Sequence, residues 1–321
     1  VIRRGSPGHT TVLTHGRDGT VSLDSMFSSL LESSKGNVPN VVRVHQVASG
    51  RDPWLLDAPD ILNTLRSLEA RLPTLEEAGA KVGIGVATGA DRVYVGAYDE
   101  LPIEQERLLP LAMSSDLKPE GLQWSGRGLV NPWLASGKLA PLDEYPKFAA
   151  YLREHESTIR KRHTAQKSPR AWYKTIDRVY PDLTHTPKLL IPDIKGEATV
   201  VYDEGNYYPH HNLYVVTSRT WDLRALQAIL KSSVALMFVA AYGIRMAGGF
   251  LRFQAQYLRR IRIPRWDYLQ EDTQHALAAI SESTDQRAID DAVFPIFSLS
   301  HGDAEKVRRF AQAARVEKKT P

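Results

Sequence analysis

"KVGIGVATGADRVYVGAYDE", residues 81–100, decides the fold, because its glycines can be read as a phosphate cradle or as something else. Gly83, Gly85 and Gly89 nearly complete a dinucleotide-binding fingerprint. Such a fingerprint needs its glycines after a strand and opening a helix, so that the helix N-terminus faces the pyrophosphate. Here the downstream "RVYVG" is β-branched and aromatic, which predicts a strand through Val93-Tyr94-Val95. No acidic residue closes a following strand at the distance a ribose contact requires. Two readings stay open at this point. Thr88-Gly89 is a tight turn that brings backbone amides and the Thr88 hydroxyl close to a ligand, or it is a glycine hairpin with none.

Composition narrows the class. The chain has 321 residues, 42% of them apolar and 24% charged, which suffices for one large or two moderate domains. The absence of cysteine excludes disulfides, thiolate metal sites and a cysteine nucleophile. The first residue is Val, so the sequence reads as a piece of something longer, and "VIRRGSPGHT" has no signal-peptide core. The longest apolar run, Val234 to Tyr242, falls well short of the ~20 residues that cross a bilayer. A soluble, cytoplasmic protein with no membrane partner is expected.

Charge is unevenly spread. From Leu223 to Trp266 there is no Asp or Glu, while Arg224, Lys231, Arg245, Arg252, Arg259, Arg260, Arg262 and Arg265 are all cationic. A second stretch, Arg153 to Lys195, holds ten Lys and Arg against five Asp and Glu. Both carry aromatics (Phe250, Phe253, Tyr257 and Trp266; Trp172 and Tyr173). Clustered cations with interleaved aromatic rings suit a polyphosphate backbone.

Periodicity gives the elements. Residues 1–50 read as short strands and turns, with "TTVLTHG" and "NVVRVHQV" as the strands. Ile61, Leu62, Leu65 and Leu68 recur at helical spacing, and Pro73-Thr74 restarts a short helix that Gly79 closes. Prolines at 102, 110, 119, 132 and 141 prevent any long element. Tyr145 to Arg162 reads as an amphipathic helix, with Phe148, Tyr151, Leu152 and Ile159 on one face and Arg153, Arg160, Lys161 and Arg162 on the other. "KLLIPDI", "ATVVYD" and "NLYVVTS" read as strands, Trp221 to Tyr242 as one long helix, and the chain from Asp267 as a polar helical tail. The pattern predicts an α+β fold, with a mixed or antiparallel sheet, flanking helices and that tail. Its divisions are residues 1–57, 58–266 and 267–321.

Two other arrangements carry possible chemistry. Asp182, ten residues, then Asp193-Ile194-Lys195 has the spacing of a Mg²⁺-dependent nuclease, in which two carboxylates hold the ion and a lysine offsets charge at the phosphate. Pro192 beside Asp193 fits poorly in the central strand that would present the pair. His210-His211 are adjacent, and alternation along a strand would point them to opposite faces, away from one shared ion. No metal site is expected. No Gly-x-Ser-x-Gly elbow, Walker loop or His-Glu-x-x-His is present.

The order of short motifs carries a family resemblance. "DPWLLD" (52–57), a helix running into "LPTLEEAGAKV", and "GIGVATGADRVYVG" come first. Tyr145-Pro146, Trp172-Tyr173, Pro187-Lys188-Leu189-Leu190-Ile191, Ile229-Leu230-Lys231-Ser232, Gly248-Gly249 and Ile263-Pro264 follow in that order. This order resembles the C-terminal specificity domain of TaqI-type adenine-N6 DNA methyltransferases, over about residues 50–266. The chain departs from the whole family in having no Pro-Pro, and hence no catalytic Asn/Asp/Ser-Pro-Pro-aromatic tetrapeptide, and no glycine-rich S-adenosylmethionine motif. Ala90-Asp91 replaces a dipeptide that usually contains Asn.

The resemblance implies the target-recognition region of a restriction–modification adenine methyltransferase, without catalytic residues of its own. Its partners are double-stranded DNA and an N-terminal catalytic domain that binds S-adenosylmethionine. Residues 1–57 would be the last part of that domain or a linker from it. Arg160, Arg162, Lys167, Arg170 and Lys188 are expected at phosphates. Thr88, Arg245 and Arg252 are candidates for base edges, Asp91 for a cytosine amino group, and Gly89 and Gly248 for close backbone approach. Trp172 or Phe250 would pack on a sugar or in the gap left by a flipped base, or else serve in the core. A stand-alone specificity subunit of a multi-subunit enzyme and the Asp182/Asp193/Lys195 nuclease are the alternatives.

Overall fold

The computed structural model describes residues 9–13, 41–45, 59–195, 199–243 and 251–315, together with positions 24, 27, 28 and 31. The two strands read near the N-terminus form as His9–Leu13 and Val41–His45, paired antiparallel. The helix expected from its apolar spacing runs Pro59–Arg71, and Ile61, Leu62, Leu65 and Leu68 are all buried. Full burial of each such side chain contributes about 1.5–3 kcal/mol. Residues after Pro73 make a turn rather than a helix, and the Glu77 carboxylate accepts from the Thr74 amide at 2.8 Å.

The three strands read from alternation build the main sheet with a fourth from the glycine region. Its order is Val201–Asp203, Lys188–Pro192, Leu213–Ser218, Ala80–Ile84, and every pairing is antiparallel. Alternation gives it two apolar faces. Leu189, Ile191 and Val216 pack toward the helices, while Leu190, Val201, Leu213 and Val215 meet Ala112 and Leu117 on the other side.

The long helix expected from Trp221 to Tyr242 is two helices, Leu223–Lys231 and Ser233–Tyr242, bent by 60°. The break has a local cause. The Ser233 amide and hydroxyl both donate to buried Asp290, at 2.8 and 2.7 Å, so the amide leaves the helical ladder. Ser232 then caps the second helix by accepting from the Ala235 amide. No single helix among the described residues is long and apolar enough to cross a membrane. The C-terminal helices Glu271–Ile280, Gln286–Val293 and His301–Ala314 bury Leu277, Ile289, Val293, Val307 and Ala311 in the core that holds Leu65 and Leu230.

The proline-rich stretch holds only short helical turns, Gln105–Arg107 and Ser114–Asp116, but supplies strands, which composition did not reveal. Leu108–Ala112, Arg127–Val130 and Val95–Ala97 form a second sheet, joined in parallel by Tyr208–Pro209. The helix read from Tyr145 breaks at His155 into Pro146–Glu154 and Glu156–Arg160, which bury Phe148, Leu152 and Ile159 against this sheet. The fold is therefore α+β, its two four-stranded sheets among the described residues being one antiparallel and one mixed, with smaller antiparallel pairs besides.

The chain passes between the sheets where the glycines lie. The Gly85 amide donates to the Leu213 carbonyl at 2.9 Å, and Val86 bridges His210. A Cβ on Gly85 would stand 2.2 Å from the His210 carbonyl oxygen, which settles why that position is glycine. The expected strand over 93–95 is instead one helical turn, Asp91–Tyr94, followed by the strand Val95–Ala97. Val93 and Tyr94 are adjacent and both enter the same core, which a strand's alternation does not allow and one helical turn does.

Candidate nucleic-acid interface

The turn at residues 86–91 is pinned from three sides. The Thr88 hydroxyl donates to Asp91 Oδ1 and accepts from the Ala90 amide at 3.0 Å. Asp91 Oδ2 lies 3.1 Å from His210 Nε2. Burial pushes the Asp91 carboxyl up, but the Thr88 hydroxyl and His210 outweigh it and hold the group below the usual aspartate range. The segment 175–177 closes the third side. The Asp177 amide donates to the Ala87 carbonyl at 3.0 Å, and the Ala87 amide donates to the Asp177 carboxylate at 2.9 Å. Gly89 adopts φ +76°, and a Cβ there would meet the Ile176 side chain at 2.7 Å.

Arg162 ties these pieces together. Its guanidinium donates to the carbonyls of Thr88 (2.8 Å), Trp172 (2.9 Å), Lys174 (2.8 Å) and Ile159 (3.1 Å), and lies over the Tyr94 ring. The Tyr94 hydroxyl in turn donates to the Tyr173 carbonyl at 2.6 Å, and burial holds that phenol well above its ordinary pKa. The expectation of Arg162 at a phosphate does not survive this geometry, since its donors are already taken by backbone carbonyls. Lys188 departs from expectation more sharply. Its side chain is fully buried, 2.6 Å from Asp203, and also donates to the carbonyls of Leu183, Thr184 and Thr186. Thr88 is fully buried as well, so a base edge does not reach it without local opening.

The surface around this knot is cationic. Arg153, Lys161, Lys167, Arg170 and Arg178 are exposed and have no carboxylate partner among the described residues. Arg160 pairs with Glu156 one helical turn away and lies over the ring of Trp172, which is itself buried. Ile176 and Tyr180 are large apolar side chains left more than half exposed, and Arg178 stacks on Tyr180 at 4.7 Å. Arg178, Ile176 and Tyr180 escape motif reading. The signal available in sequence is an arginine between an aliphatic and an aromatic residue in "TIDRVY", just after Trp172-Tyr173.

The later basic stretch looks different. Arg224 pairs with Glu282, Arg252 with Asp193, Arg259 with Glu76 at 2.9 Å, and Arg262 with Glu77 at 3.8 Å. Lys231 donates to the Ser281 and Ser283 carbonyls. Acid-free in sequence, this stretch has four of its cations, Arg224, Arg252, Arg259 and Arg262, paired with acids from elsewhere in the chain. Arg245, Gly248 and Phe250 lie outside the described residues. For the nuclease arrangement, Asp193 is held by Arg252 and Asp182 lies on the short helical turn Pro181–Leu183 instead of a strand. Lys195 contributes backbone to a two-residue strand paired with Leu251–Arg252.

The TaqI-like C-terminal specificity domain matches residues 117–263. The Type II methyltransferase M.PaeR7I of Pseudomonas aeruginosa is 52% identical over 305 residues, covering 94% of this chain and 53% of that protein. M.XhoI of Xanthomonas vasicola, also a Type II methyltransferase, is 49% identical over 286 residues, covering 88% of this chain and 52% of the relative. The chain thus spans about half the length of these curated relatives. Among solved structures, the Type IIL restriction-modification enzyme MmeI, determined in complex with DNA, superposes with a TM-score of 0.52 at 14% identity, over 77% of this chain and 36% of MmeI. The Type IIG restriction endonuclease BpuSI gives 0.51 at 11% identity, over 91% and 38%. These two likenesses concern the fold. Residues 117–263 are a TaqI-like C-terminal specificity domain, in a chain homologous to Type II methyltransferases of restriction–modification.

Proposed function

We propose that this chain is the sequence-specific recognition region of an adenine-N6 DNA methyltransferase, non-catalytic alone. In this reading it grips double-stranded DNA through the basic surface built on residues 153–180. The observation that carries it is the set of exposed cations Arg153, Lys161, Lys167, Arg170 and Arg178, none with a carboxylate partner among the described residues, in a segment that also exposes Tyr180 and Ile176. Such groups neutralise phosphates and release counterions, while the rigid turn at 86–91 keeps their backbone support fixed. Methyl transfer from S-adenosylmethionine would belong to a separate catalytic domain, because neither its Pro-Pro tetrapeptide nor its glycine motif occurs here. In this reading the protein acts in the cytoplasm.

The test is fluorescence anisotropy on duplex DNA at several salt concentrations. Five neutralised phosphates give a log–log slope of about −4.5. A slope near zero would overturn the proposal.

A further inference from the structure

We propose that Asp91, His210 and His211 form a binding site for one divalent transition-metal ion, zinc being the best fit. One ligand atom from each residue lies within 4.8 Å of the other two. The sequence argument against a shared ion assumed that both histidines alternate along a strand. In the structure only His210 is in a ladder position, bridging Val86, while His211 begins the turn before Leu213–Ser218. The turn brings the two imidazole centroids to 4.0 Å, so the rings lie side by side.

Three features support the site. His210 is buried, with its Nε2 already facing Asp91 Oδ2 at 3.1 Å, so a ligand nitrogen and a ligand oxygen are brought together. The Asp91 carboxylate is already oriented by the Thr88 hydroxyl on its other oxygen, as second partners orient metal-bound carboxylates. His211 and Asp91 are both exposed, which gives an ion an entry path to the buried ring. Two imidazoles and one carboxylate suit zinc, cobalt or nickel, and not magnesium or calcium, which take oxygen ligands. Three such ligands, each about 2.1 Å from a tetrahedral zinc, would leave one position for water.

The ion would tie the turn at 86–91 to the loop at 209–212, two segments about 120 residues apart in sequence. This site stands independently of DNA binding. The experiment is zinc titration of the chelator-treated chain by calorimetry, with thermal unfolding in parallel. Expected are one site per chain, a rise in Tm on adding zinc, and no response to magnesium. Asp91→Asn and His211→Gln should each weaken binding at least tenfold and abolish the zinc-dependent rise in Tm. Circular dichroism of the zinc-free variants checks that they fold, and should Asp91→Asn unfold, the exposed His211→Gln carries the test. Absence of zinc binding in the parent chain overturns the proposal, as does undiminished binding in His211→Gln or in a folded Asp91→Asn.

Discussion

The two basic stretches, 153–195 and 223–266, look alike in sequence and behave oppositely in the fold. The later one contains no acid, yet Arg224, Arg252, Arg259 and Arg262 all meet carboxylates. The earlier one contains five acids, yet leaves five cations exposed without a carboxylate partner among the described residues. Local charge counts therefore rank the two in the wrong order. Partners at 58, 59 and 183 residues' separation decide which cations remain available to an outside anion.

Within the earlier stretch a second division appears, between cations that hold the fold and cations that face water. Lys188→Met removes one member of a fully buried pair and leaves Asp203 uncompensated. Its unfolding free energy in urea should fall by about 3–5 kcal/mol. If stability holds and only DNA affinity drops, Lys188 belongs with the exposed group. Arg162→Gln should be next, lowering stability by about 2–3 kcal/mol through several unsatisfied buried carbonyls. Its expected signature is earlier unfolding, with the salt slope of DNA binding unchanged under conditions where the variant is folded.

The exposed group predicts the reverse. Replacing Lys167, Arg170 and Arg178 together by Gln should reduce the salt slope by about 2.7. Each replacement should alter stability by no more than about 0.5 kcal/mol. An unchanged slope would place the DNA contact elsewhere. The smallest effect belongs to the later stretch. Arg224→Gln or Arg259→Gln should change stability by about 0–1 kcal/mol, as exposed ion pairs do. Neither should move the salt slope, and a loss of slope in either would restore that stretch to the interface.

Much of the scaffold is legible without coordinates. The spacing of Ile61, Leu62, Leu65 and Leu68 specifies the helix Pro59–Arg71, and β-branched runs specify three strands of the main sheet. The breaks are harder to read. The bend at Ser232 needs Asp290, which stands 57 residues from Ser233. The side-by-side histidines need the turn at 211–212, which alternation alone misplaces.

The glycines of residues 81–100 show the same boundary. Sequence is enough to reject a dinucleotide cradle, and the structure supplies the contact that requires Gly85, the His210 carbonyl. Apolar periodicity is a local property, because a helix or strand exposes its burial face within a few residues. The order of motifs likewise belongs to the chain itself, and it pointed to the specificity-domain family. Which cations remain free is not local. An ion pair forms wherever folding brings two charges within a few ångströms, whatever their distance along the chain, and only the tertiary structure records that choice.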